Sequence, residues 1–150
     1  NTWNALPDCA VVRGTFRSFK DSVREQLEHA IRHVAESIAQ GFKLRVDTRF
    51  NPENPGYPVT INSAAETTSA IRAAIAVAGE QCVDTAPTPS MGAEDFAFML
   101  QQKPGCYIWI GNGKAHGNCL LHNPHYDFND EILPLGAAFW VKLVENELAG

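Results

Sequence analysis

The sequence predicts an α/β chain in two parts. Three observations carry that prediction. An amphipathic helical pattern at 18–40 runs into a strictly alternating, strand-like pattern at 42–49. A proline-rich stretch at 51–60 then interrupts regular structure. Beyond it the patterns follow the order helix, strand, helix, strand, loop, helix, as in an α/β layered domain.

Residues 9–17 carry strand-forming side chains behind the turn former Pro7-Asp8. In the next segment Val23, Leu27, Ile31, Val34 and Ile38 fall at steps of four, four, three and four, one apolar stripe on a helix. Gly41 stands where a C-terminal cap is expected. Phe42, Leu44, Val46 and Thr48 then alternate with Lys43, Arg45, Asp47 and Arg49, the pattern of a strand with one wet face. Strand, helix, strand leaves sheet edges unfinished, so this part reads as half of a split β-α-β sandwich. Residues 51–60 hold three prolines and a glycine and form a connector. Ser63 and Glu66 match a capping box for a helix running to about Ala78. Cys82 to Asp84 reads as a short strand, and Met91 to Asp95 as the opening of a short helix through Leu100. Cys106 to Ile110 is a compact apolar strand, and Glu131 to Leu148 a last helix carrying Leu135, Phe139 and Leu143. Trp109 and Trp140, set in a strand and a helix, read as core.

The 150 residues carry 45% hydrophobic and 19% charged residues with a net charge of −5. That balance gives no electrostatic footprint for nucleic acid or an anionic membrane. No apolar run approaches the roughly 20 residues of a membrane span, and Asn1 to Asn4 resemble no export signal. The expectation is a soluble, cytoplasmic protein. Cys9, Cys82 and Cys106 then read as small buried hydrophobes in a reducing compartment, rather than as a disulfide framework or zinc knuckle.

Two segments hold chemistry. His116, Cys119, His122 and His125 lie in one loop. Their spacings of three are too short for familiar paired-ligand zinc sites, so one ligand donated to a site built from several segments fits better. His29 and His33 lie on a solvated helix flank and receive no role. The second segment is Ser90 to Asp95. There Gly92 permits close backbone approach, and the amides opening a helix offer donors to an anion. Glu94 and Asp95 are either ordinary first-turn acids or groups that orient a ligand.

Four segments in order carry a resemblance. Asn4 to Asp8 with Val12 to Arg17 is similar to an Asn-x-Ile/Leu-Pro-Asp…Arg-Gly-Thr-x-Arg signature. Ser90 to Ala97 is similar to a Ser-Met-Gly-x-Glu-Asp-Phe-Ala segment. Leu121 to Asp130 resembles a closing His-Ser/Asn-Pro-x-Tyr/Phe-Asp-Phe-Asn-Asp segment, and Leu133 to Ala137 follows it. The chain resembles the hippurate hydrolase and N-acyl-amino-acid amidohydrolase branch of the family that includes carboxypeptidase G.

That resemblance implies a C-terminal portion of a metal-dependent enzyme. Residues 1–50 would be the second half of a ferredoxin-like dimerisation lid, 51–60 a linker, and 61–150 the C-terminal part of an α/β zinc-peptidase-like catalytic domain. It implies two divalent metals (Zn, Mn, Co or Ni) per complete active site, with His122 as a ligand and no catalytic base in this chain. Asn4, Arg17, Gly92, Glu94 and Asp95 match substrate-side positions, and Arg17 suits a carboxylate. Tyr57 stands where carboxypeptidase-type relatives carry Arg, which favours N-acyl amino acid substrates. A homodimer through the lid, with no nucleic acid or membrane partner, completes the expectation. Two alternatives stay open: a non-catalytic dimerisation module, and a small metal-binding module on the 116–125 loop.

Overall fold

The structure is a computed structural model that describes residues 3–50, 56–113, 119 and 121–148. The backbone divides into two compact units, 1–55 and 56–150.

The first unit is built on helix α1, Asp21–Gly41. Its apolar stripe forms as the spacing predicts, but Val34 and Ile38 remain exposed and only Ala39 is buried. The C-terminus of α1 closes differently from expectation. Gly41 is the last helical residue, and the left-handed position falls on Lys43, φ 57°. The Leu44 amide donates to the Ala39 carbonyl at 2.8 Å and the Lys43 amide to Gln40 at 3.1 Å. Together they make a Schellman closure with lysine where glycine is favoured. The chain then turns back along α1. Arg32 donates to the Thr48 carbonyl at 2.9 Å and lies 5.5 Å over the Phe50 ring, which meets Phe16 edge-on at 6.1 Å. Asp47 and Arg49 pair locally.

The second unit packs helix α2, Ala64–Ala78, against helix α4, Leu133–Leu148, with the short α3, Phe96–Leu100, beside an extended run at 104–112. Small residues on α2 allow the close approach. Ala70 and Ala73 are buried with Phe139 of α4, and Ala74, Cys106 and Leu143 pack around them. Burying Phe139 removes a full aromatic side chain from water, worth roughly 2–3 kcal/mol. The buried Ser69 hydroxyl donates to the Glu147 carboxylate, tying the middle of α2 to the end of α4. α2 ends at Gly79, φ 85° and ψ 150°, where a Cβ would lie 2.8 Å from the Gln81 side chain. Ser63 forms no capping bond to α2. Its hydroxyl instead accepts the Gly105 amide at 3.2 Å, and its own amide donates to the Gly105 carbonyl at 2.9 Å.

Among the described residues there is no β-strand. This corrects the α/β expectation, both for the ferredoxin-like lid and for the layered catalytic part. A strand is a ladder of hydrogen bonds between neighbours, and an alternating sequence supplies only one rail. Residues 9–17 and 42–49 do not pair, and Phe42, Leu44 and Val46 are exposed. Cys82 closes a 3-10 turn, Glu80–Cys82, in place of a strand. Cys106 to Ile110 runs extended, but beyond Tyr107 its backbone has no partner among the described residues. Part of the 51–60 connector, residues 51–55, lies outside the described residues, as does the predicted Asn1-Thr2 start.

Candidate functional site

The Ser90–Asp95 segment meets the extended run through one side-chain pair. Tyr107 donates its hydroxyl to Glu94 Oε2 at 2.8 Å. Three contacts fix the tyrosine. Asn62 closes a two-way clamp on its backbone, donating Nδ2 to the Tyr107 carbonyl at 2.9 Å and accepting the Tyr107 amide at 2.8 Å. Ser63 holds Gly105 two residues earlier, and the Phe96 ring lies 5.7 Å from the tyrosine ring. An amide side chain thus does for Tyr107 what a neighbouring strand would do.

This geometry sets the protonation of both groups. The Tyr107 hydroxyl, then the Asp95 side chain, hold the half-buried Glu94 carboxyl below the usual glutamate range; the Phe96 and Asp95 amides assist and partial burial opposes them. The same hydrogen bond to Glu94, then burial, pushes Tyr107 up, while the Trp109 indole opposes. Glu94 is therefore an oriented anion at neutral pH, suited to accepting a hydrogen bond and poorly matched to shuttling protons there.

One expectation for this segment is corrected, the opening of the helix at Met91. The Gly92 amide donates to the Ser90 hydroxyl at 3.0 Å. The helix opens at Phe96, and the Ala97 and Phe98 amides return to the Glu94 and Asp95 carbonyls. Asp95, exposed, precedes it without a side-chain cap.

His122 sits elsewhere in the unit, exposed, with φ 70°. A left-handed histidine costs about 1–2 kcal/mol, so the surrounding loop must impose it. The constraints are visible. Asn123 accepts the His125 amide at 2.9 Å, and the Tyr126 amide returns to the Asn123 carbonyl at 2.9 Å, a turn with Asn first and Pro124 second. Downstream, Asn112 donates to the Asp127 carbonyl at 3.0 Å and accepts the Asn129 amide at 2.8 Å. Asn129 caps the 3-10 turn that leads into α4 by accepting the Glu131 amide.

Cys119, His122 and His125 are the potential metal ligands of this loop among the described residues. Among the described residues no group of three or more His, Cys, Asp or Glu side chains could hold an ion. Among the described residues the donor set does not by itself make a two-metal centre. His116 lies outside the described residues. Asn4 and Arg17 belong to the first unit, both exposed. The cysteine expectation is corrected for Cys9 and Cys82, which are exposed, while Cys106 packs against the α2–α4 core. Trp109 and Trp140 are also exposed, contrary to their reading as core. Tyr107 and Asn62 escaped the sequence reading. The available signal was a phenol inside an apolar run, since a hydroxyl there needs a partner.

The sequence profile of peptidase family M20/M25/M40 matches residues 8–146. The chain belongs to this family. It is 30% identical over 145 residues to an N-acetylcysteine deacetylase of Bacillus subtilis, covering 95% of this chain and 35% of that protein. It is 28% identical over 143 residues to a hippurate hydrolase of Campylobacter jejuni, covering 95% and 36%. It is 32% identical over 148 residues to the IAA-amino acid hydrolase ILR1-like 6 of Arabidopsis thaliana, covering 97% and 32%. This family member spans about a third of the length of these curated relatives. No solved structure shows a significant match. No described helix is long and apolar enough to cross a membrane.

Proposed function

We propose that this chain is the C-terminal portion of a cytoplasmic, metal-dependent amidohydrolase that cleaves the amide bond of N-acyl amino acids. The observation that carries this reading is the match of nearly the whole chain to proteins named as a deacetylase, a hippurate hydrolase and an amino-acid-conjugate hydrolase. In that reading Glu94 is a fixed hydrogen-bond acceptor for the bound amide, with Gly92 and Asp95 beside it. Asn4 and Arg17 serve the substrate from residues 1–50, which form a homodimer surface. The connector at 51–60 separates them from the catalytic portion at 61–150. His122 donates one ligand to the metal centre, and the remaining ligands and the proton-transferring base come from the rest of the enzyme. The 150-residue chain alone is then inactive.

The test is complementation. The chain is co-expressed with the N-terminal two thirds of a family member and loaded with Zn, Mn, Co or Ni. Hydrolysis of hippurate and N-acetyl amino acids is expected from the complex and absent from either part. A soluble, metal-loaded complex with no amidase activity would overturn the assignment.

A further inference from the structure

Tyr107 matches none of the motif positions, yet it is the residue on which the Glu94 carboxylate rests. Its hydroxyl is 2.8 Å from Glu94 Oε2, its ring lies against Phe96, and its backbone is gripped on both sides by Asn62. We propose that Tyr107 is a positioning residue that holds the Glu94 carboxylate in one orientation beside α3, with Asn62 fixing Tyr107 in turn. The inference deepens the reading of Glu94 as a substrate-side acceptor and rests on it for its functional consequence.

A glutamate side chain has three rotatable bonds, and an exposed carboxylate sweeps through many orientations. A hydrogen bond from a phenol to an ionised carboxylate selects one of them, and a charge-assisted bond is stronger than a neutral one. The phenol can do this only if its own position is set. Asn62 sets it, because a two-point amide clamp fixes both the register and the rotation of the Tyr107 peptide. The titratable groups facing Glu94 are Tyr107 from the extended run and Asp95 beside it. Asp95 adjoins Glu94 in the chain, so Tyr107 supplies the long-range constraint, thirteen residues away. The Asp95 side chain and the Phe96 and Asp95 amides add local contacts to the same carboxylate.

The test reads Glu94 directly. Carboxyl-carbon NMR titration of the 150-residue chain is run on the parent, on Tyr107→Phe and on Asn62→Ala. Phenylalanine keeps the ring against Phe96 and removes only the donor. The Glu94 midpoint is expected below the ordinary glutamate value in the parent, to rise towards it in Tyr107→Phe, and to rise less in Asn62→Ala. Phe96→Leu, which leaves the hydrogen bond in place, is expected to move it little. An unchanged Glu94 midpoint in a Tyr107→Phe chain with parental circular dichroism would overturn the proposal. In the complemented enzyme Tyr107→Phe is expected to raise KM for hippurate several-fold with kcat nearly unchanged. If the midpoint moves and KM does not, Tyr107 still positions Glu94, and it is the assignment of Glu94 to the substrate that falls.

Discussion

His122 and Gly79 both occupy positive φ, and they stand in opposite relation to it. Gly79 needs it: with φ 85° and ψ 150° it lies in a region essentially closed to other residues, and Gln81 crowds the space a Cβ would take. Gly79→Ala is expected to cost about 1–3 kcal/mol in urea unfolding. His122 tolerates positive φ at a cost, so His122→Gly is expected to stabilise the chain by about 0.5–1 kcal/mol. The same substitution should abolish hydrolysis in the complemented enzyme, because the proposed metal ligand is gone. A stability gain joined to loss of activity separates a functional histidine from a structural one. The Tyr107–Glu94 bond makes a pH prediction at this scale. Glu94 is depressed, so its contribution is present above the ordinary value of 4.5 and is lost as pH falls through the lower folded value. Tyr107 is raised, so its contribution is present below the ordinary value of 10.0 and is lost as pH rises through the higher folded value. The stability difference between the parent and Tyr107→Phe is therefore expected to be flat between about 4.5 and 10 and to shrink on both sides, measured by urea unfolding across pH.

At the scale of elements, the α2–α4 pair holds the buried cluster found among the described residues, and it is narrow. Phe139 is the only large buried hydrophobic side chain among the described residues. Phe139→Ala is expected to cost about 3–5 kcal/mol by opening a cavity that the alanines of α2 cannot close. Ala73, fully buried, has no room to grow, and Ala73→Leu is expected to cost about 1–3 kcal/mol by forcing the helices apart. Loss of the far-ultraviolet helical signal against urea checks both. These helices were legible because a 3.6-residue pattern is local: each turn bonds to its neighbour, and the apolar positions of α1, α2 and α4 lie within the segment being read. The strands were not, since alternation at 42–49 and the apolar run at 106–110 specify a face but not a ladder partner. The same limit explains the caps. Ser63 has the right spacing to Glu66, but Gly105, forty-two residues away, takes its hydroxyl. Gly41 was the obvious cap, yet the helix runs through it and turns at Lys43. Of the candidate site, Glu94 and His122 were legible from motif resemblance, whereas Tyr107 and Asn62 are joined to Glu94 only by the folded backbone.

For the whole molecule, the exposed apolar residues decide how the apolar pattern is to be understood. Val34 and Ile38 of α1, Phe42 and Leu44 after it, and Trp109 in the second unit are all exposed. They fall at helical and alternating spacings, the pattern of faces selected for burial rather than of scattered surface apolar residues. In the proposed reading these faces meet the remainder of the enzyme and its dimer partner. Apolar area left in water makes a dye-binding surface and also lowers the area released on unfolding, on which the denaturant slope depends. The isolated chain is therefore expected to bind an apolar fluorescent dye strongly and to unfold in urea with a slope well below that of a compact 150-residue domain. Mixing with the N-terminal portion of the enzyme should then quench the dye, steepen the unfolding transition and restore hippurate hydrolysis at one common stoichiometry, because all three read the closing of the same faces. Dye binding that persists in an active complex would show that the exposed apolar faces serve another partner. A chain that binds no dye and unfolds steeply by itself would remove the argument that its apolar faces are contact surfaces.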